Sequence, residues 1–134
     1  MFAPFKHQAH AYSNIHVETS VQDADPHQLV ALLLDGALGA IAAGVSAIER
    51  GDIAAKGRAI SKAVAIVDEG LRGALDLQAG GVVAQTLHDL YSCVLLRLTQ
   101  ANAHNDAAML RECSELLAPM RDAWNAIKPQ RMAA

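Results

Sequence analysis

Aromatic side chains are scarce in this chain, with two Phe, two Tyr and one Trp among 134 residues, although 52% of the residues are hydrophobic. The apolar mass is therefore Ala, Leu, Val and Ile, arranged in long runs with few turn residues, which suits helices and disfavours a β-sandwich or barrel. Positive charge is scarce too. The formal net charge is -3, and no cluster of Lys and Arg supplies the phosphate contacts that dominate nucleic-acid affinity, so no nucleic-acid partner is expected. The beginning, M-F-A-P-F-K-H-Q-A-H, lacks the apolar core of a signal peptide, and no uninterrupted apolar run reaches about 18 residues; a cytoplasmic protein without membrane insertion is the expectation. Cys93 and Cys113 lack the CxxC spacing of a metal or redox site and read as small buried hydrophobes.

What is abundant is apolar surface on helices. Asp25 is a good N-cap, Pro26 fits the first helical position, and Gln28 can complete a capping box. Advancing about 100° per residue, Leu29, Leu33, Gly36, Ala37, Ala40, Gly44 and Ala47 form one stripe. Val30, Leu34, Leu38, Ile41, Val45 and Ile48 form a second beside it. Together they span about 200°, twice the width of one core-facing stripe. Such a helix is either central in its domain or covered by a partner.

Arg50-Gly51-Asp52 is the first break, with Gly51 as a left-handed terminus and Asp52 as the next cap. The second helix is expected to run to about Gln78, with Ile53, Ile60, Val64, Val67, Leu71 and Leu75 on one face and Ala59, Ala63, Ile66, Gly70, Ala74 and Leu77 on another. Ala79-Gly80-Gly81 reads as the second break and His104-Asn105-Asp106 as the third. The last helix carries Pro119, which predicts a kink or restarted turn there. Short links between four long helices give an all-α, antiparallel up-down four-helix bundle over residues 21–128. Residues 1–20 form a short N-terminal arm or helix and 129–134 a flexible tail.

The chain offers little catalytic chemistry. The six histidines form neither HExxH nor the Glu-x-x-His pairs of metal-binding bundles and read as surface residues. Asp35 lies on the narrow polar arc of the first helix without an evident basic or nucleophilic partner. No metal, cofactor or enzymatic activity is expected. Ala55-Lys56-Gly57 is similar to the Lys-Gly of histidine phosphotransfer bundles, but the position of the phosphate-accepting histidine holds Ile53.

A different resemblance covers most of the chain. Ala11-Tyr12, Val17-Glu18-Thr19, Asp25-Pro26-His27-Gln28-Leu29, Leu33-Leu34-Asp35-Gly36-Ala37, Lys56-Gly57, Ser61-Lys62-Ala63, Gly80-Gly81, Leu90-Tyr91, Ala101-Asn102, Asn105-Asp106 and Asp122-Ala123-Trp124 follow one another in the order and spacing seen in flagellar secretion chaperones of the FliS family. Many members carry an aromatic at the positions of Leu34 and Cys93. The resemblance implies a cytoplasmic chaperone that binds the C-terminal segment of flagellin, prevents premature polymerisation and delivers it to the export gate of the flagellar type III secretion apparatus. The wide helices then supply an apolar groove for a segment that folds on binding, with Val30, Leu34, Leu38, Ile41, Val45, Ile66 and Leu77 as its candidates and Tyr12 as a gate. The alternative is a structural bundle without a client, with the second stripe inside the bundle or in a homodimer of the free protein.

Overall fold

The computed structural model describes residues 25–127, and Tyr12 with the rest of the N-terminal arm lies outside them. Four helices follow one another: α1 (Pro26–Arg50), α2 (Ile53–Ala65) continued by a π-helical stretch (Ile66–Arg72), α3 (Leu77–His104) and α4 (Ala107–Ala126). No strand occurs among the described residues. The capping signals act as read. Asp25 accepts from the Gln28 N–H at 2.7 Å while Gln28 Oε1 accepts from the Asp25 N–H at 3.2 Å, closing the capping box. At the other end, Gly51 takes φ 73°, the left-handed conformation that costs glycine nothing. Asp52, Asp76 and Asp106 then cap α2, α3 and α4.

Contacts between sequence-distant residues make every neighbouring pair antiparallel. The start of α1 meets the end of α4 through His27 and Trp124, and the end of α1 meets the start of α4 through Glu49 and Arg111. Lys56 near the start of α2 reaches Asn102 and Asn105 at the end of α3. α1 therefore borders α2 and α4, and α3 closes the ring opposite it. The core is Leu33, Leu34, Ala37 and Ile41 of α1 with Ile60 and Ala63 of α2, Ile66, Val67 and Leu71 of its π-helical continuation, Tyr91, Val94 and Leu98 of α3, and Leu110, Cys113 and Leu117 of α4. Gly44 lets α1 approach closely: a Cβ there would lie 3.2 Å from a Leu110 methyl and 3.4 Å from Ile60.

Three boundaries differ from the sequence reading. The second break falls at Gly73 to Asp76 rather than at Ala79-Gly80-Gly81, because the Asp76 carboxylate caps the N–H groups of Gln78 and Ala79 and starts α3. Gly81 is instead a kink within α3, at φ 57° and ψ -135°. The second helix also widens into a π-helix, ending with a 2.7 Å bond from the Gly73 N–H to the carbonyl of Asp68 five residues back. Finally, α4 runs unbroken through Pro119. Pro119 and Glu115, the residue whose carbonyl loses its partner, are both exposed, so water can satisfy that group.

α1 is long and apolar enough to cross a membrane by length and composition. Here it is the core helix, with seven buried residues packed against the rest of the bundle.

Trp124 is the only tryptophan, and it is clasped rather than merely packed. Its ring stacks on His27 at a centroid distance of 4.8 Å and 13° between planes. The indole Nε1–H donates to the His27 carbonyl at 2.9 Å, and His27 Nε2 lies 3.0 Å from the Trp124 carbonyl, which accepts when that nitrogen carries the proton. His27 is thus a half-buried clasp between the two outermost helix ends, where a surface histidine was expected. His27→Ala should destabilise the fold by about 1–2 kcal/mol and lower Tm by roughly 3–8 °C, with a red-shifted Trp124 emission. Thermal melts and intrinsic fluorescence read both effects, and unchanged values would mean that the clasp is ornamental.

Candidate functional site

The wide apolar arc of α1 is covered by the bundle itself. Leu34 is 1% exposed and Ile41 0%, and on the π-helical stretch Ile66 is 0% exposed. These three expected client contacts are core residues. Val30, Leu38 and Val45 are partly buried against the same core. On the helical wheel, Leu38 and Val45 share a side with His27 and Glu49, whose partners Trp124 and Arg111 belong to α4. The opposite side, Gly36, Ala40 and Ala43, faces Ala59 and Lys62 of α2. The arc is wide because α1 packs on two neighbours at once. Leu77, as the first residue of α3, is the remaining described candidate that stands well out of the core, at 42% exposure.

Three shallow open surfaces lie around α2. A shallow groove between α1 and α2 is lined by Asp35, Gly36, Gly39, Ala40, Ala43, Ala59 and Lys62. The outer face of α2 presents Ile53, Ala54, Gly57, Arg58, Ser61, Lys62 and Ala65. On its far side, Ile60, Ser61, Val64, Ala65, Asp68, Glu69, Thr99 and Asn102 line a second groove between α2 and α3. Lys62 joins the first two surfaces, and Ser61 and Ala65 join the last two, so the three form one continuous shallow saddle astride α2. The saddle follows from composition. Gly, Ala and Ser at three- and four-residue spacing leave α2 without bulk above its backbone, while Ile53 is 55% exposed. The sequence pattern groups Ile53 with Ile60, Val64 and Val67 on one face and does not single out this stripe, whose signal is the small-residue spacing Ala54, Gly57, Ser61, Ala65.

The polar residues singled out in the sequence are structural. Lys56 is 6% exposed, and its Nζ donates to the Asn102 carbonyl at 2.8 Å and to Asn105 Oδ1 at 2.6 Å. Asn105 is itself in the left-handed conformation, at φ 53°, so Lys56 locks the turn between α3 and α4 onto α2. The Lys-Gly that resembled a phosphotransfer motif is thus a helix-end clamp. Asp35, taken to lack a basic partner, accepts from Arg121 of α4 at 3.2 Å, and Asp68 pairs with Arg72 at 2.6 Å. Among the described residues no group of three or more His, Cys, Asp and Glu could hold a metal ion.

The two cysteines differ. Cys93 is exposed on the outward side of α3, contrary to the buried expectation, because that side also carries Asp89 and Leu96 out of the core. Cys113 is buried, and burial pushes its thiol up to about 11. A thiol reagent at pH 8 should therefore label Cys93 within minutes and Cys113 at least about 100-fold more slowly, since the thiolate is the reactive form. Mass spectrometry of the labelled peptides gives the ratio, and equal labelling of the two would contradict the packing of Cys113.

The family model for flagellar protein FliS matches residues 8–131. The chain is 43% identical over 120 residues to the flagellar secretion chaperone FliS of Salmonella typhimurium, covering 90% of this chain and 89% of that relative. It is 41% identical over 116 residues to the flagellar secretion chaperone FliSB of Pseudomonas aeruginosa, covering 87% and 91%. With the Bacillus subtilis flagellar secretion chaperone FliS it shares 33% identity over 118 residues, covering 85% and 84%. A helical bundle in which Asp25, Gln28, Lys56, Asn105, Asp106 and Trp124 of the family-resembling fragments form caps and clamps, and which matches relatives over most of their length, belongs to the flagellar protein FliS family.

Proposed function

We propose that this protein is a cytoplasmic export chaperone that binds the C-terminal segment of flagellin, keeps it from polymerising, and assists its delivery to the export gate of the flagellar type III apparatus. The observation that carries the reading is the saddle astride α2 in a chain of this family. It is long, shallow and built of small and apolar residues, the shape that receives an amphipathic segment folding as it binds. Affinity comes from apolar burial at about 25 cal/mol per Å², less the cost of ordering the segment, so tight binding requires a contact running along much of α2. Leu77, 42% exposed at the start of α3, is a further apolar contact in this reading. Val30, Leu38 and Val45, partly buried against the core, hold α1 in place within the bundle, and the arm bearing Tyr12 regulates access to the saddle. Neither metal nor nucleotide takes part, and the chain acts by occupancy rather than by chemistry.

The experiment is to mix the purified chain with a flagellin C-terminal fragment and measure the mass of the product by size exclusion with light scattering. A 1:1 complex, unaffected by chelator, is the expected result. Two species eluting separately at micromolar concentration would refute the client assignment.

A further inference from the structure

We propose that Arg58 is the specificity-determining contact of the saddle, pairing with a carboxylate on the helical segment that lies along α2. The inference rests on the client reading above and adds to it the chemistry of the segment: an apolar stripe interrupted by an Asp or Glu opposite Arg58. Five other arginines lie among the described residues, and Arg50, Arg72, Arg97, Arg111 and Arg121 each approach a carboxylate of this chain. Arg58 has no hydrogen-bond or ion-pair partner among the described residues.

Its surroundings are suited to an external anion. The outer face of α2 carries two cations, Arg58 and Lys62, among Ile53, Ala54, Gly57 and Ser61, and no carboxylate. Gly57 and Ala54 leave the backbone of α2 open to close approach, which brings a short acidic side chain within reach of the guanidinium. Once the segment covers Ile53 and the small residues, the pair is partly shielded from water and worth more than an exposed surface ion pair. The planar guanidinium is weakly hydrated and can hold a carboxylate in a two-pronged contact, so partial burial suits it. The net charge of the chain is -3, so an acidic partner gains nothing from the whole-molecule field. Attraction has to be local, and this face of α2 is where it is found.

The test uses the full chain and a fluorescein-labelled flagellin C-terminal segment, with binding read by anisotropy at 50 and 500 mM NaCl. Arg58→Glu should weaken binding about tenfold or more at low salt, with the gap narrowing to about threefold or less at high salt. Arg58→Lys keeps the charge but loses the two-pronged contact, so its affinity should fall between those of the parent and Arg58→Glu, whereas Arg111→Glu on α4 should stay within about twofold of the parent. Exchanging the facing carboxylate of the segment for Lys should restore binding to Arg58→Glu. Because the exposed Arg58 makes no hydrogen bond or ion pair among the described residues, the melting curve of Arg58→Glu should coincide with that of the parent. Parent-like affinity of Arg58→Glu at low salt would overturn the proposal while leaving the client reading intact. Absence of binding by the unaltered chain would instead overturn the client reading and this inference with it.

Discussion

Leu34→Asp unfolds the bundle rather than merely blunting client binding. Leu34 is 1% exposed at the centre of the core, and a carboxylate there would have neither water nor a cation to meet it. The chain must bury the charge, protonate it or open, and the expected loss is about 5 kcal/mol or more, comparable to the whole stability of an ordinary domain. Leu33→Ala is the milder companion. Leu33 is equally buried, and its methyls lie 3.2 Å from where a Cβ on Gly70 would sit, so truncation opens a cavity against the π-helical stretch at a cost of about 2–5 kcal/mol. Circular dichroism against urea separates the two: a folded Leu34→Asp protein with a parent-like midpoint would show that this face of α1 is free and that the core is wrongly placed.

The second large effect belongs to Lys56. Lys56→Ala removes a buried cation and leaves the Asn102 carbonyl and the Asn105 amide without their donor, at the point where α3 turns into α4. A cost of about 2–4 kcal/mol is expected, because breaking a buried hydrogen-bonded charge harms more than its presence helps. Lys56→Met should recover part of the loss by refilling the space with an apolar chain. Equilibrium unfolding of the three proteins gives the order parent, Met, Ala. If Lys56→Ala were as stable as the parent, the clamp would carry no weight and the Lys-Gly pair would need another explanation.

How much of this was legible in the sequence depends on the range of each interaction. Local signals were readable: the Asp25 capping box, the Gly51 terminus and the Asp52 and Asp106 caps each involve groups within a few residues. Asp76 is also a local cap, but Gly80-Gly81 offered a louder turn signal a few residues on, and the true break was passed over. The π-helical stretch has no sequence period of its own over seven residues and was invisible. Lys56 and His27 were misjudged because their partners lie 46 to 97 residues away, and no local pattern announces them.

The site was harder to read for a related reason. A helical wheel shows how wide an apolar face is but not how many neighbours share it. The stripe containing Leu34 and Ile41 was read as surplus when α4 in fact covers its edge. The saddle lies where side chains are small, and a stripe of Gly, Ala and Ser looks inert on any hydrophobicity pattern. Ile53 and Arg58 mark it only once the fold leaves Ile53 55% exposed and Arg58 without a hydrogen bond or ion pair among the described residues.

Amide chemical shifts of the isotopically labelled chain, followed while unlabelled flagellin C-terminal segment is added, test the central claim most directly. Perturbations should concentrate on Ile53, Ala54, Gly57, Arg58, Ser61 and Ala65 and extend to the flanking grooves, with saturation at one equivalent if the saddle receives the segment. Perturbations confined to the face where His27 and Glu49 meet α4, or no perturbation at all, would contradict that claim.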